Sequence, residues 1–302
     1  MPLFGNDFLT RLEYLSLVSK KVFSGQLMSQ RRAIQLGSGI EFADHRQYVA
    51  GDDFRYIDWN LFARHDELLL KRFQEEEDLH VYLLLDASAS MQAGQSAAAD
   101  SSSADARFDL ARRVCAALAY IALANLDRVS ITAFGGTTSK MYNLTRGKSR
   151  ILSIMQFLEG LTADGKSSDL AATARDFVVR APRRGLVVVI SDLFDQSGFR
   201  QGLDILRHHR FETHVVQILT PDETSPKLLG DVQLLDVESN SGQTFTVTEK
   251  HLQAYAESFG RFLKDIREYC TRYEVGYTLT ESTVAFDELV LQMLRVSQTQ
   301  AR

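Results

Sequence analysis

Val81-Tyr82-Leu83-Leu84-Leu85-Asp86-Ala87-Ser88-Ala89-Ser90-Met91 starts as an uninterrupted apolar run and ends in a carboxylate and two hydroxyls. Such a run reads as a strand buried on both faces of a parallel sheet, because a water-facing side would impose alternation. A second run, Leu186–Ile190, closes the same way in Ser191-Asp192. Between and beyond them the pattern alternates. Helical spacing occurs over 106–125, 149–159, 168–180, 199–209, 249–272 and 287–296, and strand-like stretches over 128–135, 139–144, 185–194, 213–220 and 273–280. Residues 231–248 read as a hairpin turning at Asn240–Gly242. Strands alternating with helices predict an α/β fold with a doubly wound, mainly parallel, Rossmann-like sheet.

Upstream the character changes. Phe8, Leu12, Leu15, Val18, Val22 and Phe23 recur at helical spacing, predicting an amphipathic helix within 7–30. Residues 37–80 are rich in Gly, Asp, Arg and aromatics without a helical period, which predicts short strands and turns. The expected organisation is therefore 1–78, an N-terminal helix and small β-rich extension, followed by 79–302, the α/β domain. Residues 92–106, small and polar, are expected to form a surface loop.

The chain has 302 residues, 34 Lys+Arg against 39 Asp+Glu, a net charge of −5, 45% apolar and 24% charged residues. That composition excludes a disordered or collagen-like chain. Its acidity argues against nucleic acid as a partner, because phosphate binding needs a basic footprint. Two cysteines, Cys115 and Cys270, lie far apart, which excludes a disulfide scaffold and fits a reducing compartment. Charges interrupt the N-terminal apolar residues and the strongest apolar runs are too short to span a bilayer, so a cytoplasmic protein without a membrane span is expected.

In open α/β sheets, ligands sit outside the carboxyl ends of the strands. Three segments reach that edge: Asp86-Ala87-Ser88-Ala89-Ser90, Ser191-Asp192 and Gly165-Lys166-Ser167-Ser168-Asp169. Two carboxylates and several hydroxyls form a hard oxygen set suited to Mg²⁺, or to Mn²⁺ or Ca²⁺ in its place. Asp86, Ser88 and Ser90, spaced two apart, fall on the same side of the strand end and tight turn, where a single ion can meet all three. The plainer alternative is a cluster of strand-end caps and turns. Lys166 is a cation beside the set and opposes divalent binding.

Asp86-x-Ser88-x-Ser90-Met91 after an apolar strand resembles the metal-ion-dependent adhesion site of von Willebrand factor A-type domains. The stretch Glu41-Phe42-Ala43-Asp44-His45-Arg46-x-Tyr48-x-x-Gly51-Asp52-Asp53-x-Arg55-x-Ile57-Asp58-Trp59, then Ala63-Arg64, resembles the hallmark of domain-of-unknown-function family fifty-eight. The resemblance implies a von Willebrand A fold behind a family-specific segment. By the same resemblance Ser168 stands for the family's loop threonine and Asp192 for its late aspartate. It further implies a non-enzymatic interaction module whose bound ion accepts an Asp or Glu side chain of a partner or client protein. An association with MoxR-type AAA+ ATPases, in assembly, chaperoning or metal insertion, is also implied.

Rival readings use the same edge. Gly160-Leu161-Thr162-Ala163-Asp164-Gly165-Lys166-Ser167 fits the pattern of a nucleotide-binding P-loop, but Ile151, Ile154, Met155 and Leu158 before it have helical spacing where a P-loop needs a strand. A metal-dependent phosphotransferase using Asp86 as nucleophile lacks a second acid two residues on, where Ser88 stands. His208, His209 and His214 are expected at the surface, and His45 as a structural hydrogen-bonding group. In 41–64, Phe42, Tyr48, Phe54, Tyr56, Ile57, Trp59 and Phe62 are expected to bury. Arg46, Arg55 and Arg64 are expected to pair with Asp44, Asp52, Asp53 and Asp58, the alternative being a docking face for the ATPase.

Overall fold

A computed structural model describes residues 3–5, 7–23, 32–36, 41–76, 79–92, 106–135, 139–164, 168–195, 198–226, 229–235 and 242–300. The chain divides into two compact units, 21–79 and 1–20 together with 80–302. The N-terminal helix α1 (Phe8–Phe23) therefore starts in the α/β unit, whereas the expected division placed it with the extension. Its first turns explain this. Leu12 and Leu15 are fully buried, the Phe8 ring lies 4.7 Å from that of Phe286, and Arg113 Nε donates to the Leu3 carbonyl at 3.1 Å.

In the smaller unit, β1 (Arg32–Leu36), β2 (Glu41–Gln47) and β3 (Leu69–Glu76) form an antiparallel sheet in the order β1-β3-β2. Between β2 and β3 lies a short helix, α2 (Trp59–His65), which the aperiodic sequence did not reveal. Asp58 caps it, Oδ1 accepting from Asn60 N at 3.1 Å and Leu61 N at 3.2 Å. His45 Nε2 lies 3.2 Å and Lys71 Nζ 3.4 Å from Asp58 Oδ2, so among the described residues Asp58 pairs with these and not with an arginine. Arg46 pairs with Asp52 and Arg55 with Asp53, as expected. Ile57 and Leu70 are buried, but Phe54 and Trp59 are 64% and 58% exposed, contrary to the expectation that they are core.

The α/β unit is built on six strands: β4 (His80–Asp86), β5 (Arg128–Phe134), β6 (Lys140–Arg146), β7 (Leu186–Ser191), β8 (Glu212–Leu219) and β11 (Gly276–Glu281). Their order is β11-β8-β7-β4-β5-β6, parallel except for β6. Counted along the chain from β4 as the first, this is the 3-2-1-4-5-6 doubly wound order, with its switch point between β4 and β7. A separate hairpin, β9 (Gly230–Leu235) and β10 (Gly242–Val247), leaves the sheet after β8. Its turn, and nearly all of the expected 92–106 loop, lie outside the described residues.

Every residue of β4 is buried, as the apolar run implied. Alternate side chains serve opposite faces. Tyr82 and Leu84 join Val187, Val189 and Val215 under α6 (Leu170–Arg180), α7 (Phe199–His208) and the C-terminal part of α9 (Glu249–Arg272). On the other face α4 (Ala106–Ala124) packs along β4 and β5, with α10 (Phe286–Gln300) beside it. Each fully buried Leu or Val stabilises the fold by about 1.5–3 kcal/mol relative to exposure. His214 is a correction: it lies buried in β8, its Nε2 2.9 Å from Thr278 Oγ1, instead of at the surface. No helix among the described residues is long and apolar enough to cross a membrane.

Candidate functional site

Parallel strands entering one sheet deliver their ends to one edge, and β4 ends there in Asp86. The chain turns at once. Ala87 N donates to the Phe134 carbonyl of β5 at 2.6 Å, and Ser88 N donates to Asp86 Oδ1 at 2.9 Å. A one-turn helix, α3 (Ala89–Gln92), follows and places Ser90 Oγ 2.9 Å from Ser88 Oγ. Next door β7 ends in Ser191, whose hydroxyl donates to Asp86 Oδ2 at 2.6 Å. Ser168 approaches from before α6 and donates to the same oxygen at 3.0 Å. Asp169 caps α6 and Asp195 receives the Leu170 amide, so that helix start is fixed from two sides.

The chain passes the edge under strain. Leu193, after Asp192, is left-handed with φ 62° and buried, a conformation costly for a residue with a branched side chain. Three bonds hold this loop: Leu193 N to Ser191 Oγ at 2.9 Å, Phe194 N to Asp192 Oδ1 at 3.0 Å, and Gln217 Nε2 to the Asp192 carbonyl at 2.8 Å.

Asp86, Ser88, Ser90, Ser168 and Asp192 thus come together at the switch point. Asp86, Ser88 and Asp192 have no solvent exposure, and Ser168 has 8%. Burial holds the Asp86 carboxyl above its ordinary range, against the bonds from Ser191, Ser88 and Ser168. Asp192 is pushed up to about 6 by burial first and then by the negative charge of Asp86, against the pull of Arg107. Two buried carboxylates that resist ionising together gain from a shared cation.

The Ser88 and Ser90 hydroxyls, and Ser168 with Asp86, are hydrogen-bonded to each other at 2.9 and 3.0 Å, and all of them are hard oxygen donors of the kind Mg²⁺ takes. Among the described residues no group of three or more His, Cys, Asp or Glu side chains could hold a metal, so a cation here must draw on the serine hydroxyls. Lys166, with Gly165 and Ser167, lies outside the described residues. The element before Gly160 is a helix, α5 (Ile151–Glu159), and Gly160 closes it with its amide on Gln156 O, so the P-loop pattern does not follow a strand.

Sequence reasoning missed Arg107, whose side chain is 1% exposed. Its Nη1 donates to Asp192 Oδ2 at 2.8 Å and to the Ser90 carbonyl at 3.1 Å. Its Nη2 pairs with Glu223 and lies 3.5 Å from Thr220 Oγ1. Its position in the first turn of α4 gives no sequence signal for these partners, which lie 85 and 116 residues away. Glu223 also accepts from Thr220 N at 2.9 Å, capping a one-turn helix, α8 (Pro221–Thr224), at the end of β8.

A mainly parallel sheet in this strand order, with buried carboxylates and serine hydroxyls at its switch point, makes the chain a doubly wound, Rossmann-like α/β protein. Residues 44–263 match the family described as "Protein of unknown function DUF58", and the chain belongs to that family. Uncharacterized proteins of Mycobacterium tuberculosis and Mycobacterium bovis are 24% identical to it over 238 residues, 78% of this chain and 73% of theirs. Similar solved structures include the conserved hypothetical protein BatB of Bacteroides thetaiotaomicron, with a TM-score of 0.43 and 14% identity, covering 74% of this chain and 98% of that one. A von Willebrand factor type A protein of Catenulispora acidiphila gives a TM-score of 0.41 and 12% identity, covering 76% and 44%.

Proposed function

We propose that the chain is a cation-dependent protein-interaction module and not an enzyme. It binds Mg²⁺, or Mn²⁺ or Ca²⁺ in its place, through Asp86, Ser88, Ser90 and Ser168 with Asp192 alongside. It engages an Asp or Glu side chain of a partner protein there. The observation that carries this reading is the convergence of five oxygen-bearing residues from three separate segments on one largely buried point.

When bound, the cation supplies a Lewis-acidic centre with positions open to a partner's carboxylate. The chain's own residues do the rest. Asp86 provides negative charge on a rigid strand end. Ser88 and Ser90 reach the same point because a tight turn and α3 follow the strand. Ser168 and Ser191 keep Asp86 oriented. By the family resemblance, the partner we propose is a MoxR-type AAA+ ATPase, with this chain as its adaptor in complex assembly, chaperoning or metal insertion.

Mn²⁺ titration of the wild type and Asp86→Asn, followed by the free Mn²⁺ spin-resonance signal, tests the site. Saturable binding in the wild type that disappears in Asp86→Asn is expected, and equal signals in the two overturn the cation reading. Co-elution with a MoxR-type ATPase in Mg²⁺, lost in chelator and in Asp86→Asn, is expected of the adaptor. Co-elution indifferent to both would place the contact elsewhere.

A further inference from the structure

The two carboxylates at the sheet edge are not equivalent. Asp86 receives hydrogen bonds from Ser88, Ser168 and Ser191, and among the described residues no Lys or Arg forms an ion pair with it. Asp192 has a permanent counter-ion in Arg107, and its other oxygen accepts from Phe194 N. The guanidinium is sealed from water and shared between Asp192 at the end of β7 and Glu223 beyond the end of β8. It also donates to the carbonyl of Ser90, a residue of the proposed cation site.

That position has a cost. Arg107 lies in the first turn of α4, at the positive end of the helix, and is fully desolvated. Holding the helix to the sheet does not require it, since Leu110, Ala111 and Val114 of α4 are already buried. Its charge, however, falls beside the point where a divalent cation would sit, and there it acts in two ways. It neutralises one of the two carboxylates, and it repels a second cation in a medium that screens weakly.

We infer that Arg107 is a positioning residue that sets the divalent affinity of this site, as the resident counter-ion of Asp192. The inference rests on the cation reading proposed above and specifies it. Asp86 and the serine hydroxyls provide the attraction for the ion, while Arg107 keeps Asp192 oriented and its charge occupied. Glu223 draws part of the guanidinium's charge away from Asp192 and so moderates the effect.

Two variants of the same triad then move Mn²⁺ affinity in opposite directions. In Arg107→Gln, Asp192 loses its counter-ion and the repulsion disappears, so Mn²⁺ binds about tenfold or more tightly. In Glu223→Gln, Arg107 pairs with Asp192 alone and Mn²⁺ binds severalfold more weakly. Arg107→Lys keeps the charge and stays within a few-fold of wild type. Mn²⁺ titration by spin resonance, with circular dichroism on each variant, reads all three.

A purely structural role predicts weaker binding in both of the first two variants. Unchanged or weaker Mn²⁺ binding by a folded Arg107→Gln overturns the inference and leaves the cation reading standing. Should Arg107→Gln fail to fold, Arg107→Met, which fills similar volume without the charge, decides in its place, and unchanged or weaker binding by that folded variant overturns it. A wild type that binds no Mn²⁺ beside an Arg107→Gln that does supports the inference and overturns occupancy of the wild-type site. Absence of binding in every variant overturns both.

Discussion

Gly135 lies so close beneath Ser88 that a Cβ built on it would stand 2.5 Å from the Ser88 amide nitrogen and 3.0 Å from Asp86 Oδ1. It also has φ +111°, a conformation that L side chains rarely adopt. The end of β5 therefore determines how closely the Asp86–Ser88 turn can fold against the sheet. Gly135→Ala is expected to lose about 1–3 kcal/mol of stability through backbone strain and to weaken Mn²⁺ binding at least about tenfold by displacing Ser88. Denaturant unfolding and Mn²⁺ titration check it. Native-like values in both would mean the turn yields without disturbing the oxygen set.

Ser191 bridges the two halves of the switch point, donating to Asp86 and accepting from Leu193 N. Ser191→Ala removes a donor from a buried carboxylate and an acceptor from a strained amide. A loss of about 1–3 kcal/mol is expected, because both partners remain desolvated. Ser191 is outside the proposed ligand set, so Mn²⁺ affinity should change far less than in Asp86→Asn. An equal loss in the two variants would show that Ser191 is itself part of the cation's shell.

Much of this arrangement was legible because the information is local. Apolar runs mark β4 and β7, and the carboxylates and hydroxyls that directly follow them must share the sheet edge, which is how Asp86, Ser88, Ser90 and Asp192 could be read from spacing alone. The helix start drew notice to the segment 165–169, and the family resemblance singled out Ser168 within it. What stayed hidden depends on partners remote in sequence. Arg107 meets Asp192 across 85 positions and Glu223 across 116, and neither separation leaves a periodicity. His214 looked like a strand-start surface residue because its cover, Gly276 and Thr278, arrives with the last strand. Exposed Phe54 and Trp59 defied the rule that dense aromatics build core, a rule about averages that cannot assign single rings.

Asp58 serves α2 twice over, capping its first amides and anchoring His45 and Lys71 of the neighbouring strands. Asp58→Ala is expected to cost about 1–2 kcal/mol, the usual price of an N-cap plus a partly buried ion pair. Hydrogen exchange localises the effect: the amides of 59–62 should lose protection while those of β4 and β7 keep theirs. Uniform loss across the whole chain would show that the smaller unit is not cooperative by itself.

His214 makes the fold of the sheet's last pair sensitive to acid. Its ring lies between β8 and β11, bonded to Thr278 Oγ1, and a Cβ on Gly276 would come within 2.2 Å of Nδ1. Burial lowers its pKa to about 4, so the native ring stays neutral where an unfolded chain would already be protonated. The folded value is depressed, so this stability is complete above the unfolded pKa of about 6.5 and drains as pH falls toward the folded one, amounting to about 3 kcal/mol at most. His214→Gln retains a hydrogen-bonding group for Thr278 and has no proton to take up. Urea unfolding at about pH 7.5 and about pH 4.5 should show the wild type losing roughly 2–3 kcal/mol more than the variant over that interval. Equal losses in the two proteins would mean that another group carries the acid sensitivity and that the His214 ring charges without parting β11 from β8.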